Sequence, residues 1–383
     1  MEEQDQAGSG GNDRFTRQGL LRRAAVTGVA ISAVTAPTAT AALRKAKVYT
    51  GKRLDKFHWS FAIPKEDAEN TMYYVNKFLY GPEEGIDLDI NSGTSTSDFI
   101  KLVASHHYNA AHPSVFLMAL VKDQGLPVTM YFDNMNINIF GFAVRANSPI
   151  KSIKDFEGKK IAIGVVGWDA IWNPDLAAAG VDPKSVSYLV TGLGPGRLNA
   201  LNSGKVDIIV TWNGEFPVWN WQEKLAGKGT LRFFSGDQYF KTSANGWTAA
   251  TNRLEKDRDL LVRAARAQAK AMWFTKTNPT EAAKIFHYYY PKIATHKNEA
   301  EEIAADYNNT GFLAGPDGTL THGLGWNSRK RWQTLLDSMY ENKLTKNHLQ
   351  ATDMYTNDMV KEINNFDKNE VIAFAKQYKF KKP

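Results

Sequence analysis

Cysteine is missing from all 383 residues, and that one gap removes several chemistries at once. Disulfides, thiolate zinc sites, iron–sulfur clusters and a cysteine nucleophile are excluded. So is a lipid anchored on a cysteine at a processed N-terminus. No apolar run approaches the roughly 20 residues needed to span a bilayer. A basic stripe is missing too: the net charge is +7, but lysines and acids alternate along the chain, so nucleic acid is not an expected partner. With 43% hydrophobic and 23% charged residues, the composition is that of a soluble globular protein, and the length suits two domains better than one.

Residues 1–41 are expected to be an export signal. Four arginines (Arg14, Arg17, Arg22, Arg23) balance four acids there, so the basic excess belongs to the rest of the chain. An uncharged stretch from Ala24 to Ala36 follows, then Ala39-Thr40-Ala41 as an A-x-A cleavage site, which places the mature start near Ala42. The long polar leader is Tat-like, but Gln18 stands where a second arginine would, so Tat and Sec both stay open.

The stretch TGLGPGRLNALNSGKVDIIVTW, Thr191 to Trp212, has the look of a phosphate loop. Its spacing is G-x-G-x-G rather than G-x-G-x-x-G, and Gly196-Arg197-Leu198 is not the Gly-Lys-Ser/Thr of a nucleotide loop. Strand, glycine turn, short helix and strand is the expected local structure. Backbone N–H groups at the helix start, with Arg197, are expected to favour an anion.

About a hundred residues earlier the same order recurs. Ile86 to Asn91 alternates like a strand, Ser92 to Ser97 is a turn rich in capping residues, and Phe99, Leu102 and Val103 mark a helix face. SHHYNAA then stands where SGKVDII stands in the later copy. Two such α/β units suggest two facing lobes with a ligand cleft at their strand ends. Lobe one is expected over 47–145, lobe two over 146–246, and the completion of lobe one with C-terminal helices over 247–383. Hinges fall near Val144–Asn147 and Asn245–Thr248 on this reading. Long amphipathic helices are expected over Lys256 to Lys276, Pro279 to Tyr290, Glu299 to Tyr307, Ser328 to Glu341 and Lys368 to Tyr378.

Four segments, in order, resemble the substrate-binding proteins of ABC importers of the sulfonate, nitrate and taurine type, related to the pyrimidine-precursor synthases. They are SPIKSIKDFEGKKIAIG, LAAAGVDPKSV, LNSGKVDIIV and the helix RAARAQAKAMWFTKTNPTEAAKI. The resemblance implies the α/β, two-lobed type II periplasmic binding fold, with a hinged cleft and C-terminal helices packed on lobe one. It also implies a monomeric periplasmic receptor that binds a small solute and hands it to ABC permease subunits, with no cofactor and no catalysis. The chain departs from the family's pattern at Gly167-Trp168 and at His106-His107-Tyr108-Asn109; the first departure bears on the ligand, while Asn109 and Asp207 are expected to serve alike at strand starts.

The candidate ligand-binding residues are Thr94, Ser95, Thr96, His112, Asn138, Gly167, Trp168, Arg197, Trp212, Asn213 and Glu215. Trp168 and Trp212 directly follow expected strands and supply aromatic walls; Trp172, Trp219 and Trp221 are expected to be lobe-two packing. His106, His107 and His112 share no carboxylate at ligand spacing, so no metal site is expected. A small organic anion with a flat or aromatic body is the expected solute. The alternative is a cysteine-free enzyme on the same fold, using Glu215 or His112 on an aromatic or pyrimidine-like molecule.

Overall fold

The computed structural model describes residues 53–65, 67, 70–92, 97–291 and 319–383. The expected export signal, Thr94 to Thr96 and the expected helix Glu299 to Tyr307 lie outside these residues. Ten strands form two five-stranded sheets: β1 Asp55–Phe61, β2 Ile86–Ser92, β3 Ala110–Ala111, β4 Val128–Met135, β5 Phe140–Arg145, β6 Lys160–Ile163, β7 Ser187–Val190, β8 Ile208–Trp212, β9 Leu231–Ser235 and β10 Asn245–Ala250. β1 alternates, burying Phe57, Trp59 and Phe61 on one face. β8, IIVTW, is buried throughout, as a central strand covered on both faces must be.

The first sheet runs β2-β1-β3-β10-β4 and the second β7-β6-β8-β5-β9. In each, three parallel strands are followed by an antiparallel one; β10 opposes β3 and β4, and β5 opposes β8 and β9. The two orders superpose when β6, β7 and β8 replace β1, β2 and β3. This is the repeat read from the sequence, now visible in hydrogen bonds. Asn109 before β3 and Asp207 before β8 play one part: each side chain accepts a backbone N–H from the first strand of its sheet, His58 at 2.8 Å and Lys160 at 3.0 Å. Each also donates its own N–H back to the same residue.

The passes between sheets differ from the sequence expectation. β5 bonds to β8 and β9, so the first pass lies at 136–139, before Val144, and lobe two begins about six residues earlier than expected. The second lies at 236–244. The reason is that Ile139 to Val144 is an apolar, β-rich run that reads the same whichever sheet receives it.

Helix Arg258–Thr277 buries Leu261, Ala264, Ala265 and Met272 against the first sheet side, touching β1, β2 and helix Thr71–Val75. Helix Arg329–Glu341 does more than complete lobe one. It touches helix Val115–Asp123 of lobe one and helix Asp169–Ala178 of lobe two. Its Arg331 Nη1 donates to the Thr242 carbonyl at 2.9 Å, fastening it to the second pass. No helix among the described residues is long and apolar enough to cross a membrane.

Candidate functional site

A cavity opens between the two sheets at the carboxyl ends of the parallel strands, where α/β folds place ligands. It encloses about 700 Å³ of space between atoms, counting its open mouth. Lobe one lines it with Phe61, Ala62 and Ile63 after β1, with Asn70 and Tyr73, with His112, Ser114 and Leu117 after β3, and with Met135 and Asn245. Lobe two contributes Ile139, Phe140, Trp168, Ile171, Trp172 and Trp212. None of these lining residues is Lys, Arg, Asp or Glu.

The lobe-two wall is a stack of indoles. Trp168 lies 5.8 Å from Trp172 and 6.2 Å from Trp212, the latter edge-on. Gly164 at the end of β6 makes room for it: a Cβ there would stand 2.6 Å from the Trp168 ring. Trp172 is pinned from behind by its indole N–H, which donates to the Gly141 carbonyl at 2.8 Å. On the opposite side Trp59 backs Tyr73 and His112, with ring centroids 4.4 Å and 5.7 Å away. Ser114 caps helix Val115–Asp123, its hydroxyl accepting from the Leu117 N–H at 3.2 Å.

His112 is buried, and burial pushes its imidazole down to about 3, so the ring is neutral at any physiological pH. Its Nε2 lies 2.9 Å from Asn134 Oδ1.

Arg197 and Glu215 are placed otherwise than expected. The Arg197 side chain is 1% exposed and lies behind the tryptophans, its Nη2 2.6 Å from Glu215 Oε1 and its Nη1 2.8 Å from the Val210 carbonyl. Its guanidinium carbon sits 4.6, 4.9 and 5.5 Å from the ring centroids of Trp219, Trp212 and Trp168. Thr211 donates to the second Glu215 oxygen at 2.9 Å. Burial raises the Glu215 carboxyl to about 7 against the lowering pull of Arg197 and Thr211. The sequence expectation of Arg197 as the ligand's cation is therefore corrected: its charge is committed to a partner 18 residues away. The glycine loop is corrected with it. Helix Gly196–Asn202 has only seven residues, and neither its first turn nor Gly192 and Gly194 line the cavity.

Of the other expected residues, His112, Trp168 and Trp212 line the cavity. Asn138 is fully buried on the first pass, donating to Asp175 Oδ1 at 2.8 Å and to the Phe240 carbonyl, and does not line it. Gly167 is exposed in a left-handed turn, φ +88°, outside it. Asn213 follows Trp212 but gives its N–H to Ile139. Tyr73, Asn70, Phe61, Phe140 and Asn245 line the cavity without having been singled out in the sequence, and Trp172, expected as packing, both packs and lines. Among the described residues, no group of three or more His, Cys, Asp or Glu is arranged to hold a metal.

The carboxyls of the passes form a separate buried group. Asp133 accepts from Ser243 at 2.7 Å and is raised by burial to about 7; Asp175 is raised well above the carboxylate range for the same reason.

The comparisons with known proteins agree with this architecture. The riboflavin-binding protein RibY of Chloroflexus aurantiacus is 21% identical over 254 residues, covering 63% of this chain and 67% of its own. The alkanesulfonate-binding protein SsuA of Xanthomonas axonopodis pv. citri, solved with MOPS, has a TM-score of 0.59 at 11% identity, over 80% of this chain and 100% of its own. DszB in complex with biphenyl-2-sulfinic acid has a TM-score of 0.53 at 14% identity, over 82% and 99%. The fold is thus that of the periplasmic binding proteins of sulfonate-binding importers, shared with a desulfinase. Residues 72–282, more than half of the chain, match the family described as NMT1/THI5 like, and the protein belongs to that family.

Proposed function

We propose that the protein is an extracytoplasmic solute receptor that binds a flat, largely apolar small molecule between its lobes and delivers it to an ABC permease. One observation carries this reading: the cavity between the sheets is walled by Trp168, Trp172, Trp212, Phe61 and Phe140 and holds only a few uncharged polar groups. Such a lining suits an aromatic body with a few oriented hydrogen bonds. The likeness to a riboflavin-binding protein supports a flat ligand; the likeness to SsuA supports the receptor role. The expected organic anion loses its main support, since Arg197 is committed to Glu215.

Catalysis finds little purchase here. Glu215 is tied to Arg197 and Thr211, and His112 is a neutral ring without a nucleophile beside it. Binding would bring the lobes together about the passes at 136–139 and 236–244, the ligand stabilising the closed form. The localisation proposed is the periplasm, after removal of residues 1–41.

The test is native mass spectrometry of freshly purified protein, followed by a thermal-shift screen with the ligand identified. A specific ligand at a hundred times its dissociation constant adds about 2.7 kcal/mol of stability. Return of an unchanged ligand on denaturation supports a receptor; repeated turnover of it refutes one. Sequencing of the exported protein is expected to find its N-terminus near Ala42, and an uncleaved chain in the cytoplasm refutes the localisation.

A further inference from the structure

We infer that His112 is a fixed hydrogen-bond acceptor in the cavity, and that the ligand it selects presents a ring N–H beside a carbonyl, the edge of a lactam or imide, rather than an oxyanion. The inference deepens the receptor reading above and rests on it.

The direction of the hydrogen bonds carries it. Asn134 Nδ2 points to the Tyr73 hydroxyl at 3.4 Å, which turns Oδ1 toward His112 Nε2 at 2.9 Å. A carbonyl oxygen only accepts, so Nε2 bears the proton and Nδ1 bears the lone pair. Asn134 does not line the cavity and His112 does, so the polar atom of the ring left for a ligand is Nδ1. The Tyr73 hydroxyl stands 3.4 Å from each ring nitrogen, too long to satisfy either firmly.

Two neighbours complete the pattern. Asn70 donates Nδ2 to the Pro64 carbonyl at 2.8 Å, leaving Oδ1 as a second acceptor at the cavity. The Ser114 oxygen is taken by the Leu117 N–H, so its hydroxyl proton is the group that remains to donate. Acceptor and donor within one turn of chain match a ligand edge that offers N–H and C=O side by side. A sulfonate or carboxylate offers acceptors alone, and would set its oxygens against the Nδ1 lone pair and Asn70 Oδ1. No lysine or arginine lines the cavity to offset that. Lobe one therefore reads the polar edge while the lobe-two indoles cover the flat face.

The probes are riboflavin, whose ring system carries an imide N–H between two carbonyls, N3-methylriboflavin, which lacks it, and 2-naphthalenesulfonate. Titration of the purified mature protein is expected to show riboflavin bound at least about tenfold more tightly than the methylated form, as an unmatched buried acceptor demands. No binding of the sulfonate is expected. Equal binding of the two flavins, tighter binding of the sulfonate, or binding of neither flavin overturns the inference. The receptor reading stands or falls separately, on the ligand recovered from the native protein.

Asn134 is the positioning residue in this scheme. In Asn134→Leu the ring is free to switch tautomers, and the preference for the N–H form is expected to fall to within about threefold while circular dichroism confirms a folded protein. Nitrogen-15 spectra of the wild type, which need no ligand, are expected to show His112 protonated at Nε2 alone. The Nδ1-protonated form would refute the assignment outright.

Discussion

Arg197→Met cuts the buried ion pair while keeping an apolar side chain of similar length beneath the tryptophans. The substitution removes the 2.6 Å bond to Glu215, the 2.8 Å bond to the Val210 carbonyl and a cation lying against three indoles. Each charge-assisted bond contributes about 1.5–3 kcal/mol, but Arg197 no longer has to be desolvated in the variant. The net expectation is the loss of about 3–5 kcal/mol usual when one partner of a buried pair is removed. Glu215, left with Thr211 alone, rises above the value near 7 that it has beside Arg197. A carboxyl raised on folding binds more protons folded than unfolded, so the variant loses stability as pH climbs from about 4.5 through neutrality. Arg197→Met with Glu215→Gln keeps an acceptor for Thr211 and removes the stranded charge, so it is expected to recover half or more of the loss. Urea unfolding followed by circular dichroism, at pH 5.5 and 7.5, measures all four corners of the cycle. Additive losses within about 0.5 kcal/mol, or a single-variant loss below about 1 kcal/mol, would refute the pairing as a stabilising element.

Other perturbations test the cavity and the passes. Trp168→Ala and Trp212→Ala are each expected to weaken the native ligand by about tenfold or more in titration calorimetry; wild-type affinity in both removes the aromatic wall. Gly164→Ala puts a methyl 2.6 Å from the Trp168 ring, and is expected to lower the melting temperature and displace that wall, read as loss of affinity. Asp133, raised from 3.8 to about 7 by burial, holds a proton in the folded state that the unfolded chain releases, so stability falls as pH rises across that window, by roughly 4 kcal/mol at most. Asp133→Asn is expected to flatten that slope in urea titrations at pH 5 and pH 8; an unchanged slope places the proton elsewhere.

Much of this architecture could be read from one chain because its periodicities are strong. Asp55–Phe61, Val128–Met135 and Ile208–Trp212 are apolar strands in the expected places, and Arg258–Thr277 and Lys368–Gln377 begin and end within two residues of expectation. The repeat was legible because Asn109 and Asp207 mark equivalent strand starts. Partnership across the chain was not legible. Nothing local says that β5 joins β8 and β9, and nothing in Gly196-Arg197-Leu198 shows that Glu215 will fold back to take the charge. The tryptophans following strands led to two walls of the cavity, whereas Asn70 and Tyr73 sit on a short helical stretch whose pattern reads as plain core.

The strand order also sets a timetable for synthesis. All five strands of the second sheet are consecutive in the chain, and it is complete once Ser235 has left the ribosome. The first sheet has to wait, although four of its strands emerge earlier. β4 has no bond to β3 except through β10, which enters between them only at Asn245–Ala250. Until then β3 and β4 present unsatisfied edges with nothing between them, a condition that invites mispairing. Lobe two thus finishes first despite being made second, and the nascent lobe one is the part that would need a chaperone's cover.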